Sequence, residues 1–237
     1  MAAMKPGSSG RPSGRMVILA FAGAILAAVG LVAVALFLRN DSGGPPPTPT
    51  PVVDLEGIPQ EGAILGSPDA QVTLIEYADP QCPGCRFYTE ELFPTIVNEY
   101  VRPGKVNTEF RGFPFIGPDS VKAYRFLLAA GLQNRLWNLQ EALYRNQGGE
   151  NDGWVTDELL RQLAGEIDGL DVERLFAEAE RSDIEQTADA AEGEAKAAEI
   201  PGTPSFFVRI GDAEPYSIQA AFDAAQFRAA LDDALRG

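Results

Sequence analysis

Three local signals in immediate succession constrain this chain more than anything else in it. Residues 71–78 (QVTLIEYA) are rich in β-branched and aromatic side chains and read as a strand. Asp79-Pro80 breaks that strand, and Cys82-Pro83-Gly84-Cys85 follows at once. Residues 86–101 then place apolar side chains at Phe87, Leu92, Ile96, Val97 and Tyr100, a helical rhythm. A strand that turns through Cys-X-X-Cys into a helix is a β–α unit, and the rest of the body has to be built around it. Pro94 lies inside the helical run, so a kink is expected there.

Cys82 and Cys85 are the only cysteines, and the chain has no histidine. The missing imidazole excludes a Ser-His-Asp triad, a Cys-His pair and an HExxH zinc site. Two thiolates cannot complete a four-ligand zinc site, so zinc would need a second chain. On the first turn of a helix, positions i and i+3 share a face, and their Cα atoms come within disulfide range. Such a bridge closes a very short loop and constrains the unfolded chain little, so a structural staple is the weaker reading. The helix N-terminus, by contrast, favours a thiolate, and a stabilised thiolate is a good leaving group. Cys82, at the start of the helix, is the expected attacking or attacked sulfur. Cys85, one turn in, is the expected resolving thiol, with Pro83 and Gly84 completing the redox motif.

The remaining body alternates strands with a long helical block. Residues 105–113 (KVNTEFRGF) read as a second strand after the Arg102-Pro103-Gly104 turn. Helices are expected at 120–132, at 136–146, from a Thr156 cap to 164, and at 172–180 behind an Asp171 cap. Another, to about 199, opens on the capping box Ser182-Asp183-Ile184-Glu185. Residues 205–210 (SFFVRI) read as a strand with Phe206 and Phe207 on opposite faces. Residues 214–217 read as its short partner. Residues 221–235 form a closing helix with Phe222, Phe227, Leu231 and Leu235 on one side. Trp137 and Trp154 are expected to pack, and the acidic run at 192–199 to face solvent. Thr203-Pro204 precedes a strand; taken alone, it fits a cis peptide and an ordinary trans proline equally well.

The first 39 residues carry four Lys/Arg and no acid, net +4, whereas the rest carry 15 Lys/Arg against 34 Asp/Glu, net −19. An acidic body argues against nucleic acid as a partner. Residues 16–38 hold no charge and are long enough, at ~1.5 Å per residue, to cross a bilayer core as a helix. Lys5, Arg11 and Arg15 precede them, which places residues 1–15 in the cytoplasm and the body outside. Ala33-Val34-Ala35 also resembles a signal-peptide cleavage site, and that reading exports the body as well. Residues 39–57 are a linker, with five prolines between positions 42 and 51 forming a stiff spacer.

Gly66-Ser67-Pro68-Asp69-Ala70 leading into VTLIEYADPQCPGC, then FRGFPF, then GTPSFFV, resembles the DsbA-like family of thioredoxin-fold proteins, in its bacterial membrane-anchored or secreted branch. The similarity covers residues 58–237. It implies an α/β thioredoxin-like fold with an inserted α-helical domain at about 118–200, preceded here by a single transmembrane helix. It implies that Pro204 is cis and faces the cysteines, with Thr203 offering backbone hydrogen bonds to a bound peptide. It makes Glu76 the buried carboxylate beneath the cysteines, able to take the proton from Cys85; without the resemblance, Glu76 reads as a solvent-facing strand residue. The type enzyme of the family has histidine between its cysteines where this chain has Gly84, so a less oxidising site is expected.

The function expected is a thiol–disulfide oxidoreductase that introduces disulfides into exported cysteine-containing proteins and is reset by a membrane redox partner. No cofactor and no metal are expected. Two other readings fit the same residues: a reductase or isomerase on this fold, and a non-catalytic anchored binding module.

Overall fold

The structure is a computed structural model that describes residues 53–219 and 222–237. The expected cytoplasmic tail, the membrane anchor and nearly all of the linker lie outside the described residues. Among the described residues, no helix is long and apolar enough to cross a membrane.

Six strands form one sheet: β1 (Gln60–Glu61), β2 (Ile64–Leu65), β3 (Val72–Ala78), β4 (Val106–Gly112), β5 (Ser205–Ile210) and β6 (Tyr216–Ile218). Their order across the sheet is β1-β2-β4-β3-β5-β6. β3 lies parallel to β4, with Glu76 opposite Phe110, and antiparallel to β5, with Glu76 opposite Phe206. It is therefore a central strand covered on both faces, and every residue of it except Tyr77 is buried. The edge hairpin β1–β2 has no counterpart among the expected elements, and β6 starts two residues later than the expected partner strand at 214–217.

The parallel pair is joined by a helical crossover that begins on the cysteines. Helix α1 (Pro83–Phe87) passes into a π-helical turn (Tyr88–Leu92), then α2 (Phe93–Ile96), then a second π turn (Val97–Val101). The proline kink takes this form. Pro94 sits in the first turn of α2, and the Phe93 N–H reaches back five residues to the Tyr88 carbonyl. A widened turn accommodates a residue that has no N–H of its own.

Five helices stand between β4 and β5: α3 (Pro118–Gly131), α4 (Leu136–Arg145), α5 (Asp157–Gly165), α6 (Val172–Ala179) and α7 (Ser182–Ala197). Thr156 caps α5 through Leu159 N–H, and Asp171 caps α6 through Arg174 N–H. The expected Ser182 box does not form. Arg181 occupies the cap position, Ser182 is the first helical residue, and Asp183 instead binds the Arg181 guanidinium. Trp137 stacks on Phe93 at 5.2 Å inside the core, and its Nε1–H donates to the Ala63 carbonyl. Helix α8 (Ala224–Ala234) closes the chain and buries Phe227 and Leu231. It begins later than expected: Asp223 is its cap, and Phe222 stands before it with φ of 59°.

Candidate active site

The end of β3 delivers the chain to Asp79, and a polar corner holds the turn that follows. The Asp79 carboxylate accepts from Gln81 N–H (2.7 Å), Ile116 N–H (3.0 Å) and the Ser120 hydroxyl (2.5 Å). The Tyr144 hydroxyl donates to the Asp79 carbonyl, and the Gln147 amide donates to the carbonyls of Pro80 and Cys82. Gln81 donates to Ser120 and Asn151 and accepts from Asn151 N–H. Burying this much backbone is tolerable only because its groups are paired. The corner also fastens the cysteine turn to the helical insertion, since Ser120 lies on α3, Tyr144 on α4, and Gln147 and Asn151 on the loop beyond.

Cys82 is the N-cap of α1 and Pro83 its first residue, a position where the missing N–H costs nothing. The Cys82 sulfur accepts from Cys85 N–H at 3.4 Å, as a capping side chain does. In its protonated form it donates to the Thr203 carbonyl at 3.3 Å. Both cysteines are free thiols. Cys82 is 7% exposed and Cys85 is 0% exposed.

This geometry drives the two thiols apart in acidity. The Cys85 thiol, the Thr203 side chain and the N–H groups of Cys85 and Gly84 all favour the Cys82 thiolate; they outweigh its burial and hold its pKa at about 6, against an ordinary 9.0. Burial pushes Cys85 well above 9.0, and the neighbouring charges of Cys82 and Glu76 push it the same way. Alkylation of the reduced protein by iodoacetamide is therefore expected at Cys82, with a rate that reaches half its maximum near pH 6. A single rise centred near pH 9, or equal labelling of Cys85, contradicts this arrangement.

Glu76 is fully buried, not solvent-facing. The Gln140 side chain approaches the carboxyl, but neither oxygen makes a well-formed hydrogen bond. Burial lifts its pKa from 4.5 to about 8; Gln140 pulls against that shift and the Cys82 charge adds to it. Thr203–Pro204 is a cis peptide. The Pro204 ring lies against Gly84, its Cδ 3.1 Å from where a Cβ on Gly84 would stand.

The fold thus brings Glu76, Cys82, Pro83, Gly84, Cys85, Thr203 and Pro204 to one place. Asp79, Gln81, Tyr144 and Gln147 belong to the same place and went unpredicted. Asp79 was visible only as a strand breaker, and its partners are too distant in the chain for spacing to link them. Among the described residues, no group of three or more acidic or cysteine side chains is set to hold a metal.

Comparison with known proteins agrees with this geometry. A family model described as thioredoxin matches residues 59–233. A Bacillus cereus protein named probable disulfide bond formation protein D is 31% identical over 154 residues, covering 64% of this chain and 71% of that protein. Disulfide bond formation protein D of Bacillus subtilis is 27% identical over 161 residues, covering 61% of this chain and 66% of that protein. The crystal structure of oxidised BdbD from Bacillus subtilis matches with a TM-score of 0.66 at 23% identity, covering 76% of this chain and 98% of that one, a likeness of fold. A strand-turn-helix with a dithiol at its corner, inside a family match of this extent, leads to one conclusion: the chain belongs to the thioredoxin family, as a DsbA-like thiol–disulfide oxidoreductase.

Proposed function

We propose that this oxidoreductase acts through Cys82-Pro83-Gly84-Cys85, outside the cytoplasm, to introduce disulfides into exported proteins. The observation that carries the reading is the asymmetry of the pair. Cys82 caps the helix with its thiolate favoured, and Cys85 is sealed beneath it with its thiol favoured. In the productive direction a substrate thiolate attacks Cys82 Sγ of the Cys82–Cys85 disulfide. The bond to Cys85 breaks, and Cys85 leaves as a thiolate that takes a proton. The second substrate thiolate then attacks the substrate's own sulfur in the mixed disulfide, and Cys82 departs as the stabilised thiolate. The substrate loses two electrons and two protons, and the enzyme's disulfide becomes a dithiol.

Glu76 is the proton store for Cys85. With a pKa of about 8 it holds a proton near neutrality, can give it to the leaving Cys85, and takes it back when the pair is reoxidised. Thr203 and Pro204 border the sulfur and form the bed for the substrate backbone. Residues 58–237 are the working domain, residues 39–57 the spacer and residues 16–38 the anchor. A membrane redox partner resets the pair. The uncharged run at 16–38 and the +4 charge ahead of the linker support that placement.

Gly84 favours the second reading, a reductase or isomerase. It supplies no imidazolium, so the thiolate rests on N–H groups, the Cys85 thiol and Thr203 alone. Equilibration of the pair against glutathione separates the two. The expected potential is less oxidising than that of the histidine-containing type enzyme and still oxidising enough to accept electrons from reduced substrates. A potential equal to the histidine type would contradict the role given to Gly84, and a strongly reducing one would favour the reductase.

A further inference from the structure

The reacting sulfur has a narrow approach. One border is Thr203–Pro204, whose carbonyl reaches the Cys82 sulfur. The Gly84 side of the motif meets a residue from the far end of the chain. The Phe222 ring lies 3.2 and 3.4 Å, at Cζ and Cε1, from where a Cβ on Gly84 would stand. It therefore fills the volume that the side chain of residue 84 would otherwise take. The same ring meets Phe87 edge to face at 5.5 Å. Phe222, Phe87 and Pro204 thus line the Gly84 side of the motif with apolar surface.

Core packing does not account for this ring. Phe227 and Leu231, on the helix that follows, are completely buried, whereas Phe222 is 50% exposed and Phe87 is 43% exposed. Phe222 also holds a left-handed backbone that a residue with a Cβ seldom adopts. A strained conformation that leaves half an aromatic ring in water, against a redox motif, is the kind of outlier that points to function.

We propose that Phe222 is a specificity-determining residue of this site: it stands in for the side chain absent at Gly84 and selects partner cysteines that carry an apolar neighbour. This rests on the reading of Cys82 as the attacked sulfur. Phe222 makes and breaks no bond. In the exchange, the partner thiolate attacks Cys82 Sγ and Cys85 leaves. While that happens, the side chain beside the partner cysteine lies on the exposed face of the Phe222 ring and removes apolar surface from water. A small hydrophilic thiol has nothing to place there.

The test uses the full chain in its oxidised form and three reductants: a dithiol peptide with leucine beside each cysteine, the same peptide with serine in those places, and glutathione. Phe222→Ala is expected to lower the second-order rate constant for the leucine peptide about tenfold, or ~1.4 kcal/mol. The other two rates fall less than twofold, and the reduction potential does not move. Phe222→Leu restores most of the leucine-peptide rate. An equal loss with all three reductants, or a shifted potential, overturns the proposal in favour of a ring that merely supports the motif. No change with any reductant overturns it too. A wild-type protein that reacts with none of the three overturns the reading of Cys82 itself, a distinct failure.

Discussion

Cys85→Ser is expected to trap substrates on Cys82 as mixed disulfides, and Cys82→Ser to abolish both trapping and turnover. Of the two cysteines, Cys82 is the one a partner can reach, and Cys85 beneath it is the thiol that can release that partner from within. Serine at position 82 offers a hydroxyl, which is not ionised near neutrality and forms no disulfide, so dithiol oxidation falls by at least ~10³-fold. The two cysteines act as a unit, so the double variant is no worse than Cys82→Ser alone. The measurement is loss of free thiol in a reduced peptide, with non-reducing electrophoresis and mass spectrometry to locate the adduct. Adducts on Cys85 in a Cys82→Ser background, or turnover surviving without Cys82, would sink the assignment. The driving force has the same origin. The contacts that hold Cys82 at about 6 act only on the thiolate and vanish in the disulfide. They favour the reduced form by about 1.4 kcal/mol at pH 7 relative to a thiol that titrates normally.

The parts of this site that could be read from sequence are those whose signals are local. A β-branched run, a proline break and cysteines at i and i+3 all fall within residues 71–85, and the fold places them as the spacing predicts. The caps at Thr156 and Asp171 are equally local. What escaped depends on long-range partners. Strands of two residues, Gln60–Glu61 and Ile64–Leu65, are too short to show a period; they exist because β4 pairs with Ile64 and Leu65. Glu76 on its own looked solvent-facing because a polar residue in a strand usually marks the wet face. β3 has no wet face, since β4 and β5 flank it and helices cover it. The apolar spacing from Phe227 extends the expected closing helix back through Phe222. The Asp223 cap and the left-handed backbone at Phe222 stop it short and free the ring for the redox motif. The Asp79 corner was invisible because its donors come from α3, α4 and the loop beyond.

Glu76→Gln is expected to give a protein that is more stable and slower. Below about pH 4.5 the carboxyl is protonated whether the chain is folded or unfolded, so it adds no pH dependence there. As pH rises, the unfolded chain loses the proton and gains hydration. The folded chain keeps it until about pH 8, because burial of the carboxyl outweighs what Gln140 returns to the charged form. Folding stability therefore declines by about 1.36 kcal/mol per pH unit across this window, and the loss levels off above it. At pH 7 the accumulated loss is about 3 kcal/mol, which the neutral amide removes, less whatever its own unpaired groups cost. For a domain of this size the gain is a rise in Tm of roughly 6–12 °C at pH 7, and almost none at pH 4.5. A gain of the same size at both pH values would show that volume or packing, not ionisation, is responsible. The second half of the prediction sets role against fold. An amide cannot accept or return the Cys85 proton, so steps that form or consume the Cys85 thiolate slow by roughly 10²-fold. Alkylation of Cys82 keeps its half-maximum near pH 6, because Glu76 is still protonated there and the amide replaces a neutral carboxyl. Glu76 is then a group that the fold tolerates for the sake of the reaction. Its removal separates stability from turnover in opposite directions, an outcome that a merely structural carboxyl does not produce.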